Sequence, residues 1–524
     1  MEAILDPKNI YYLAIIGASF LAFLIIINTE LRWIKIIFAL AFPLSLLYIF
    51  VWNILKYLFR KREKSFSGNV QQTDTNFVFT LDRGGSQVEV ANPFRGVLIM
   101  GGAGSGKTAS LITPILQNAI WKGFTGIVYD FKCPDLTNLV YDFASKNKKK
   151  VHFYFLNFTD LSRTHQVNPL ANIEESAHAR ELATALISNL LPESIARPDF
   201  FSRSAIALLT GAIWYLHEEH PEACTVPHVI SLLLWENPEQ LIEKICENEL
   251  ARDMVASVKS GLTSEKQTAG VISTLQISLS TLSNKKLFYV LSGQDFTLDI
   301  NNPSHPKFLC IGNNPGVSDT LSPVISLVMT AALKQMNRPG MQKSVVLLDE
   351  APTLYIPNFD QIPATARSNQ VATVFCAQDY SQLEDKYGST KAEVILSNLA
   401  NQFWGKTTNP KTAEKVIKLF GKQDKTFTTA SSGTSTHGLI KSSRNKSVSE
   451  TIQERDRVTM LDIRDLHPGQ FYASLVETQK NEWKGLMDFQ ATDQNQLPPF
   501  SNPDNEELDR AFRQIKEDIK QIFS

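Results

Sequence analysis

The sequence has no surplus of either charge: 52 Lys and Arg stand against 53 Asp and Glu, for a formal net charge of -1 over 524 residues. A chain so balanced does not coat nucleic acid indiscriminately, so contact with a polyanion has to come from local basic surface. Cysteine is scarce. Cys133, Cys224, Cys246, Cys310 and Cys376 are scattered, with no CxxC pair among them. That pattern excludes a disulfide framework, and the nine histidines add no metal-ligand spacing. Cys310 and Cys376 sit inside apolar strand-like runs and read as reduced core thiols of a cytosolic domain. With 43% hydrophobic residues, the bulk of the chain is not of disordered composition.

Two long hydrophobic runs stand at the N-terminal end. Ile10 to Ile27 and Ile36 to Leu55 carry no Asp, Glu, Lys or Arg. Each is long enough to cross a bilayer as a helix, and Pro43 is tolerated in such a helix. A signal peptide fits less well, since neither a basic n-region nor a small-residue cleavage site is present. The short connection from Asn28 to Lys35 makes the two spans a hairpin. Lys56, Arg60, Lys61, Arg62 and Lys64 follow it, which places the rest of the chain in the cytoplasm. Residues 1–64 are therefore expected to be a transmembrane hairpin with a basic juxtamembrane segment facing lipid headgroups.

The remainder reads as alternating strands and helices interrupted by a helical stretch. Short apolar runs at Val97–Met100, Ile127–Tyr129 and Val151–Leu156 predict buried strands. From Ala171 to Leu291 apolar residues recur at helical spacing, as in Leu182, Leu186 and Leu190. Strand signals return at Phe308–Ile311, Val345–Leu348 and Val371–Cys376. Alternation of this kind predicts an α/β fold with a parallel, doubly covered sheet. The expected division is a nucleotide-binding domain over 65–170 and 301–495, an all-α insertion over 171–300, and a tail helix within 496–524. Phe427 to Ser449 is rich in Ser, Thr and Gly without periodicity and reads as a mobile loop. The tail stripe of Leu508, Phe512, Ile515, Ile519 and Ile522 is expected to dock on the parent domain.

The sharpest motif is Gly101-Gly102-Ala103-Gly104-Ser105-Gly106-Lys107-Thr108, a complete GxxxxGK[ST] between a strand and a helix opening at Ala109. Glycines let backbone N–H groups turn in around phosphate, and the helix N-terminus adds a favourable dipole. Lys107 is expected to reach the β- and γ-phosphates of ATP, and the Thr108 hydroxyl to ligate Mg²⁺. A second motif is Val345-Val346-Leu347-Leu348-Asp349-Glu350, an aliphatic strand ending in two acids. Asp349 suits the Mg²⁺ shell and Glu350 suits the general base that polarises water. Gln378, at the tip of the strand Val371–Ala377, can sense the γ-phosphate. Arg367 can serve as an arginine finger towards a neighbour's nucleotide, with Arg455, Arg457 and Arg464 as rivals.

With these residues on view, the chain resembles the coupling proteins of type IV secretion and conjugation, the TraG/TraD family. These are relatives of the FtsK-like and HerA-like DNA pumps. The resemblance rests on GVLIMGGAGSGKTASLITPIL, on VYDFK with Asp130 and Lys132, and on Asn168-Pro169-Leu170. It rests also on LLDEAPTL and on ARSNQVATVFCAQDYSQL with Arg367, Gln378 and Gln382. It implies a RecA-like P-loop NTPase at the bacterial inner membrane, assembled as a homo-hexamer. By the same resemblance, ATP hydrolysis would drive a relaxase–DNA complex, or protein substrates, towards a type IV secretion channel. Members often carry a longer extracytoplasmic loop than Asn28–Lys35, and Cys133 stands where a Gly is usual. A second reading is an ATP-binding membrane receptor or scaffold that docks protein effectors without pumping DNA.

Overall fold

The computed structural model describes residues 71–81, 86–147, 151–256, 258, 265–436, 442–489 and 495–524. The expected transmembrane hairpin lies outside the described residues. Among the described residues thirteen strands follow in order: β1 (Phe77–Leu81), β2 (Ser86–Val90), β3 (Val97–Met100), β4 (Thr125–Asp130), β5 (His152–Leu156), β6 (Lys307–Gly312) and β7 (Ser344–Leu348). Then come β8 (Val371–Ala377), β9 (Asn401–Trp404), β10 (Lys422–Thr436), β11 (Ser442–Asp456), β12 (Gln470–Ser474) and β13 (Glu482–Leu486).

Nine of these strands build the central sheet in the order β13-β12-β9-β3-β8-β7-β4-β6-β5. From β9 to β5 every pairing is parallel. Strands buried on both faces read as unbroken apolar runs, and this is why Val97–Met100 and Val345–Leu348 stood out. The pleat sends alternate side chains to opposite layers. Leu98 and Met100 join one core cluster, Val97 and Ile99 the other.

The sheet departs from the all-parallel expectation at one edge, where β12 pairs antiparallel with β9 and β13 antiparallel with β12. The cause is the short link after Ser474, closed by Leu475 N–H donating to Asn481 O at 2.7 Å. A tight hairpin joins only antiparallel strands.

On one face lie α1 (Thr113–Trp121) and α2 (Asp135–Lys146), with the β1–β2 hairpin. On the other lies the helical segment between β5 and β6. It includes α3 (Ser176–Leu190), α4 (Phe200–Glu219), α5 (Val226–Leu233), α6 (Glu265–Ser280) and α7 (Lys285–Ser292). The turn into it is held by Asn168, whose Oδ1 accepts from Leu170 N–H while its amide donates to Cys224 O. A capping box between Asp199 and Ser202 starts α4. α8 (Ser318–Met336) packs on α3. Among the described residues, Pro315–Met336 is the one helix long and apolar enough to cross a membrane, and it is mostly buried in the core.

The tail helix α9 (Asn505–Phe523) docks on the inserted helices. Phe523 stacks on Trp235 at 4.0 Å, and Phe512 meets Phe288 at 5.0 Å. Just upstream, Leu497 N–H donates to Asn138 and Arg163 donates to Leu497 O, so the tail is first tied to the sheet layer.

The segment 427–449, read as a mobile loop, instead contributes to β10 and β11. They pair with each other over fifteen positions. Thr favours extended backbone, yet the run lacks the apolar alternation that reveals a strand on a core, so the pattern stayed silent.

Candidate active site

The loop from Gly101 to Lys107 hangs from the C-terminal end of β3. Its neighbours fix it from three sides. Gly101 N–H donates to Ala377 O at the end of β8, Gly102 N–H to Lys406 O beyond β9, and Gly469 N–H donates to Ser105 O. Gly104 and Gly106 have φ of 72° and 91°, conformations that L side chains rarely adopt. At Gly106 a Cβ would also meet Gly469 N at 2.6 Å, so the loop closes on the chain behind it only with glycine there. Ala103, Gly104 and Thr108 face outward, while Ser105 and Lys107 are buried. Ser105 Oγ has no partner among the described residues. After the loop the chain winds a π-helical turn, Thr108–Ile112, before α1, so the expected helix begins irregularly.

Lys107 Nζ donates to Gly101 O at 2.6 Å and lies 4.0 Å from Glu350 Oε1. The cradle lysine and the second acid of the β7 strand are thus adjacent. Asp349 leaves β7 with its N–H on Tyr129 O at 3.1 Å. Its carboxyl is pushed up to about 7 by burial first, then by the charges of Glu350 and Asp130, against Lys107 and Lys132. Glu350 takes a left-handed conformation, φ 48° and ψ 50°. Left-handed backbone in a buried glutamate stores strain. It is held by Thr353, whose N–H and hydroxyl both reach Glu350 O, and by Gln378, whose Nε2 donates to Glu350 Oε1 at 3.1 Å. The structure therefore gathers Lys107, Asp349, Glu350 and Gln378 at the C-terminal ends of adjacent strands, where ligands of open α/β sheets bind.

Arg367 is not in this group. It follows the helical turn Ile362–Ala366 and precedes the start of β8, while the cradle touches the other end of β8. Along the strand that is on the order of 20 Å. There Arg367 is half-exposed, 3.9 Å from Glu477 Oε1, a carboxylate also bound by Arg95 at 3.0 Å and Asn92 at 2.8 Å. The rivals are elsewhere. Arg455 lies over the Phe427 ring, Arg457 pairs with Glu482, and Arg464 sits beside Asp465.

Asp130 ends β4 and is fully buried. Its Oδ2 accepts from the N–H and hydroxyl of Thr137 at 2.9 and 2.8 Å, and its Oδ1 has no partner among the described residues. Burial pushes this carboxyl up to about 6, against the Thr137 hydrogen bonds. Sequence reading missed the groups behind the site. Tyr129 joins its hydroxyl to Thr353 and Asn313, each at 2.8 Å. Asn189, on α3, clasps the loop after Glu350: its Oδ1 accepts from Tyr355 N–H and its amide donates to Tyr355 O. These partners are separated by more than a hundred residues and leave no local signal.

A strand–glycine loop–helix unit facing a strand that ends in two acids, on a mostly parallel sheet covered on both faces, defines a RecA-like P-loop nucleotide-binding fold. Residues 53–462 match the family model described as Type IV secretory system Conjugative DNA transfer, and the chain belongs to that family. The coupling protein TraD of Escherichia coli (strain K12) is 26% identical over 142 residues, which is 25% of this chain and 20% of TraD, so the match spans about a fifth of that relative. Among solved structures, the unbound bacterial conjugative coupling protein TrwBdeltaN70 superposes with a TM-score of 0.62 at 16% identity, covering 82% of this chain and 91% of that one. The plasmid coupling protein TrwB in complex with ADP and Mg²⁺ gives 0.60 at 16% identity, over 83% and 93% of the two chains. The similarity in fold thus runs through most of both chains.

Proposed function

We propose that this chain is an inner-membrane ATPase that couples a relaxase–DNA complex to a type IV secretion channel. The carrying observation is the 4.0 Å approach of Lys107 to Glu350, which sets phosphate cradle and candidate base side by side. The residues fit Mg²⁺-ATP: outward-facing loop residues, an exposed Thr108, a buried Ser105 hydroxyl without a partner among the described residues, and two acids across the one intervening strand β8. Bound Mg²⁺ would neutralise developing phosphate charge. Thr108 and Asp349 hold it in this reading. Lys107 binds the β- and γ-phosphates, Glu350 takes a proton from the attacking water, and Gln378 senses the γ-phosphate. TrwB, of the same fold, has been seen with ADP and Mg²⁺ and with an ATP analogue.

Arg367 stands at the opposite end of β8 from its own cradle, which supports a head-to-tail ring in which it completes a neighbour's site. A homo-hexamer is the expected ring. Residues 65–170 and 301–495 form the motor in this reading, 171–300 faces cargo, and 1–64 anchors the ring in the membrane. The deciding experiment is ATP hydrolysis by the full chain in lipid nanodiscs with and without DNA. Turnover that DNA stimulates and Lys107→Ala abolishes is the expected result; equal turnover by that variant rejects the motor.

A second reading, a receptor that docks protein effectors without pumping DNA, draws on exposed apolar side chains of the inserted helices: Phe200, Phe201 and Ile277. Hydrolysis indifferent to every nucleic acid would favour it.

A further inference from the structure

Tyr129 touches the surroundings of both acids of the site. It is the penultimate residue of β4, paired with Leu348 of β7, and its side chain is fully buried. Its carbonyl accepts the Asp349 N–H at 3.1 Å, so its main chain holds the first acid. Its hydroxyl lies 2.8 Å from Thr353 Oγ1 and 2.8 Å from Asn313 Nδ2, and so reaches the turn behind the second.

The direction of each proton in this chain follows from what each group can do. A carbonyl only accepts, so the Thr353 hydroxyl donates its one proton to Glu350 O at 2.7 Å. The Thr353 oxygen is then left to accept, and the Tyr129 hydroxyl donates to it. The Tyr129 oxygen in turn accepts from Asn313 Nδ2. Asn313 does not lie end for end, because its Oδ1 accepts the Asn314 N–H at 2.7 Å. Its amide also donates to Ser318 Oγ at 3.0 Å, and its N–H donates to Asp130 O at 2.9 Å. Every proton from Asn313 to Glu350 therefore points the same way, the arrangement in which each hydrogen bond polarises the next.

The chain ends on a strained residue. Glu350 has φ 48° and ψ 50°, and a non-glycine residue stays in that region only where its surroundings over-determine it. Gln378 holds the head of its side chain at 3.1 Å, while Thr353 holds its main-chain carbonyl with both N–H and hydroxyl. A buried tyrosine finds partners for its hydroxyl wherever it lies. Here both partners belong to one chain, and that chain ends on the residue whose carboxylate has to meet water. It begins at Asn313, directly after β6, the strand on which the polypeptide returns from the inserted helices.

We infer that Tyr129 is a positioning residue for hydrolysis: through Thr353 it fixes the main chain of Glu350, and with it the direction from which the carboxylate meets the attacking water. The inference rests on the proposed role of Glu350 as base and adds what aims it.

The test is single-turnover ATP hydrolysis, with ATP affinity measured alongside, by the full chain in nanodiscs. The variants are Tyr129→Phe, Thr353→Val, Thr353→Ser and the double variant Tyr129→Phe/Thr353→Val. The first two each remove a hydroxyl at nearly constant shape. Each is expected to slow hydrolysis about tenfold to a hundredfold while ATP affinity changes by less than about twofold. Thr353→Ser keeps the hydroxyl and should recover most of the lost rate. The double variant should be no slower than the slower single one, since both cut the same chain. Wild-type rates in Tyr129→Phe and Thr353→Val overturn the inference, as does a Thr353→Ser chain as slow as Thr353→Val. A loss of ATP affinity that matches the loss of rate, or losses that multiply in the double variant, makes Tyr129 a packing residue and overturns it too. If Tyr129→Phe does not fold, the two Thr353 variants decide alone. Any of these failures leaves Glu350 as base, whereas wild-type turnover in Glu350→Gln removes the base itself.

Discussion

Gln378 Nε2 donates to Glu350 Oε1 at 3.1 Å, so the residue at the tip of β8 holds the acid at the tip of β7. In the proposed reading, with Glu350 as base and Gln378 as the γ-phosphate sensor, this bond couples the orientation of the base to what the amide binds. Glu350→Gln should retain ATP affinity and lose about 10²–10⁴ of turnover, because it can no longer accept water's proton. Gln378→Ala should weaken ATP binding relative to ADP and also slow turnover. Nucleotide titration with single-turnover kinetics separates the two. Full turnover in Glu350→Gln would remove it as the base.

Arg367 and its own cradle lie at opposite ends of β8. Arg367→Ala should therefore lower steady-state turnover by about 10²-fold or more while leaving nucleotide affinity alone. The sharper readout is a mixture. Arg367→Ala and Glu350→Gln chains are each expected to turn over slowly, yet co-assembled they place an intact arginine beside an intact Glu350 at some interfaces. Activity that rises on mixing fits action between subunits, whereas mixtures as dead as their components would refute it.

Asp130 gives a pH signature. Its folded pKa is raised from 3.8 to about 6 by burial. Between about pH 4 and 6 the native chain therefore binds more protons than the unfolded one, and its stability falls as pH rises through that window. The change at this group is about 2–3 kcal/mol. Asp130→Asn keeps an oxygen for Thr137 and cannot ionise. Urea unfolding of the described fold at pH 4.5 and 7.5 should show the variant losing less stability than wild type on going to the higher pH. Equal losses would mean that Asp130 titrates normally.

Asn189 binds the backbone of Tyr355 in both directions. In Asn189→Ala the Tyr355 carbonyl keeps the Ser326 hydroxyl at 2.6 Å, but its N–H loses its partner. An unpaired buried N–H costs about 1–3 kcal/mol. Chemical denaturation should report a loss of that size, and a variant within experimental error of wild type would show that the loop finds another donor or acceptor.

What the sequence disclosed follows the range of the interactions. Val97–Met100, the glycine loop and Val345–Glu350 were legible because a buried parallel strand, a φ-permissive loop and a strand-end acid each announce themselves within a few residues. The docking of α9 was half-legible: its apolar stripe implied a partner but not that Trp235 and Phe288 supply it. Gly469, Lys406, Asn189 and Glu477 were invisible because their work is done on residues far along the chain. The antiparallel edge was hidden for a related reason, since β12 and β13 carry no motif. The β10–β11 pair was hidden because hydroxyl-rich strands without a core show no apolar rhythm.

The place of β3 in the sheet also sets a timetable for biosynthesis. Leu98 pairs with Phe375 on one side and with Gln402 on the other. At ribosomal speed those partners emerge on the order of tens of seconds after the strand that needs them. Until then the glycine loop has no frame to hang from. A nascent chain thus has no assembled nucleotide cradle until those late strands have joined the sheet.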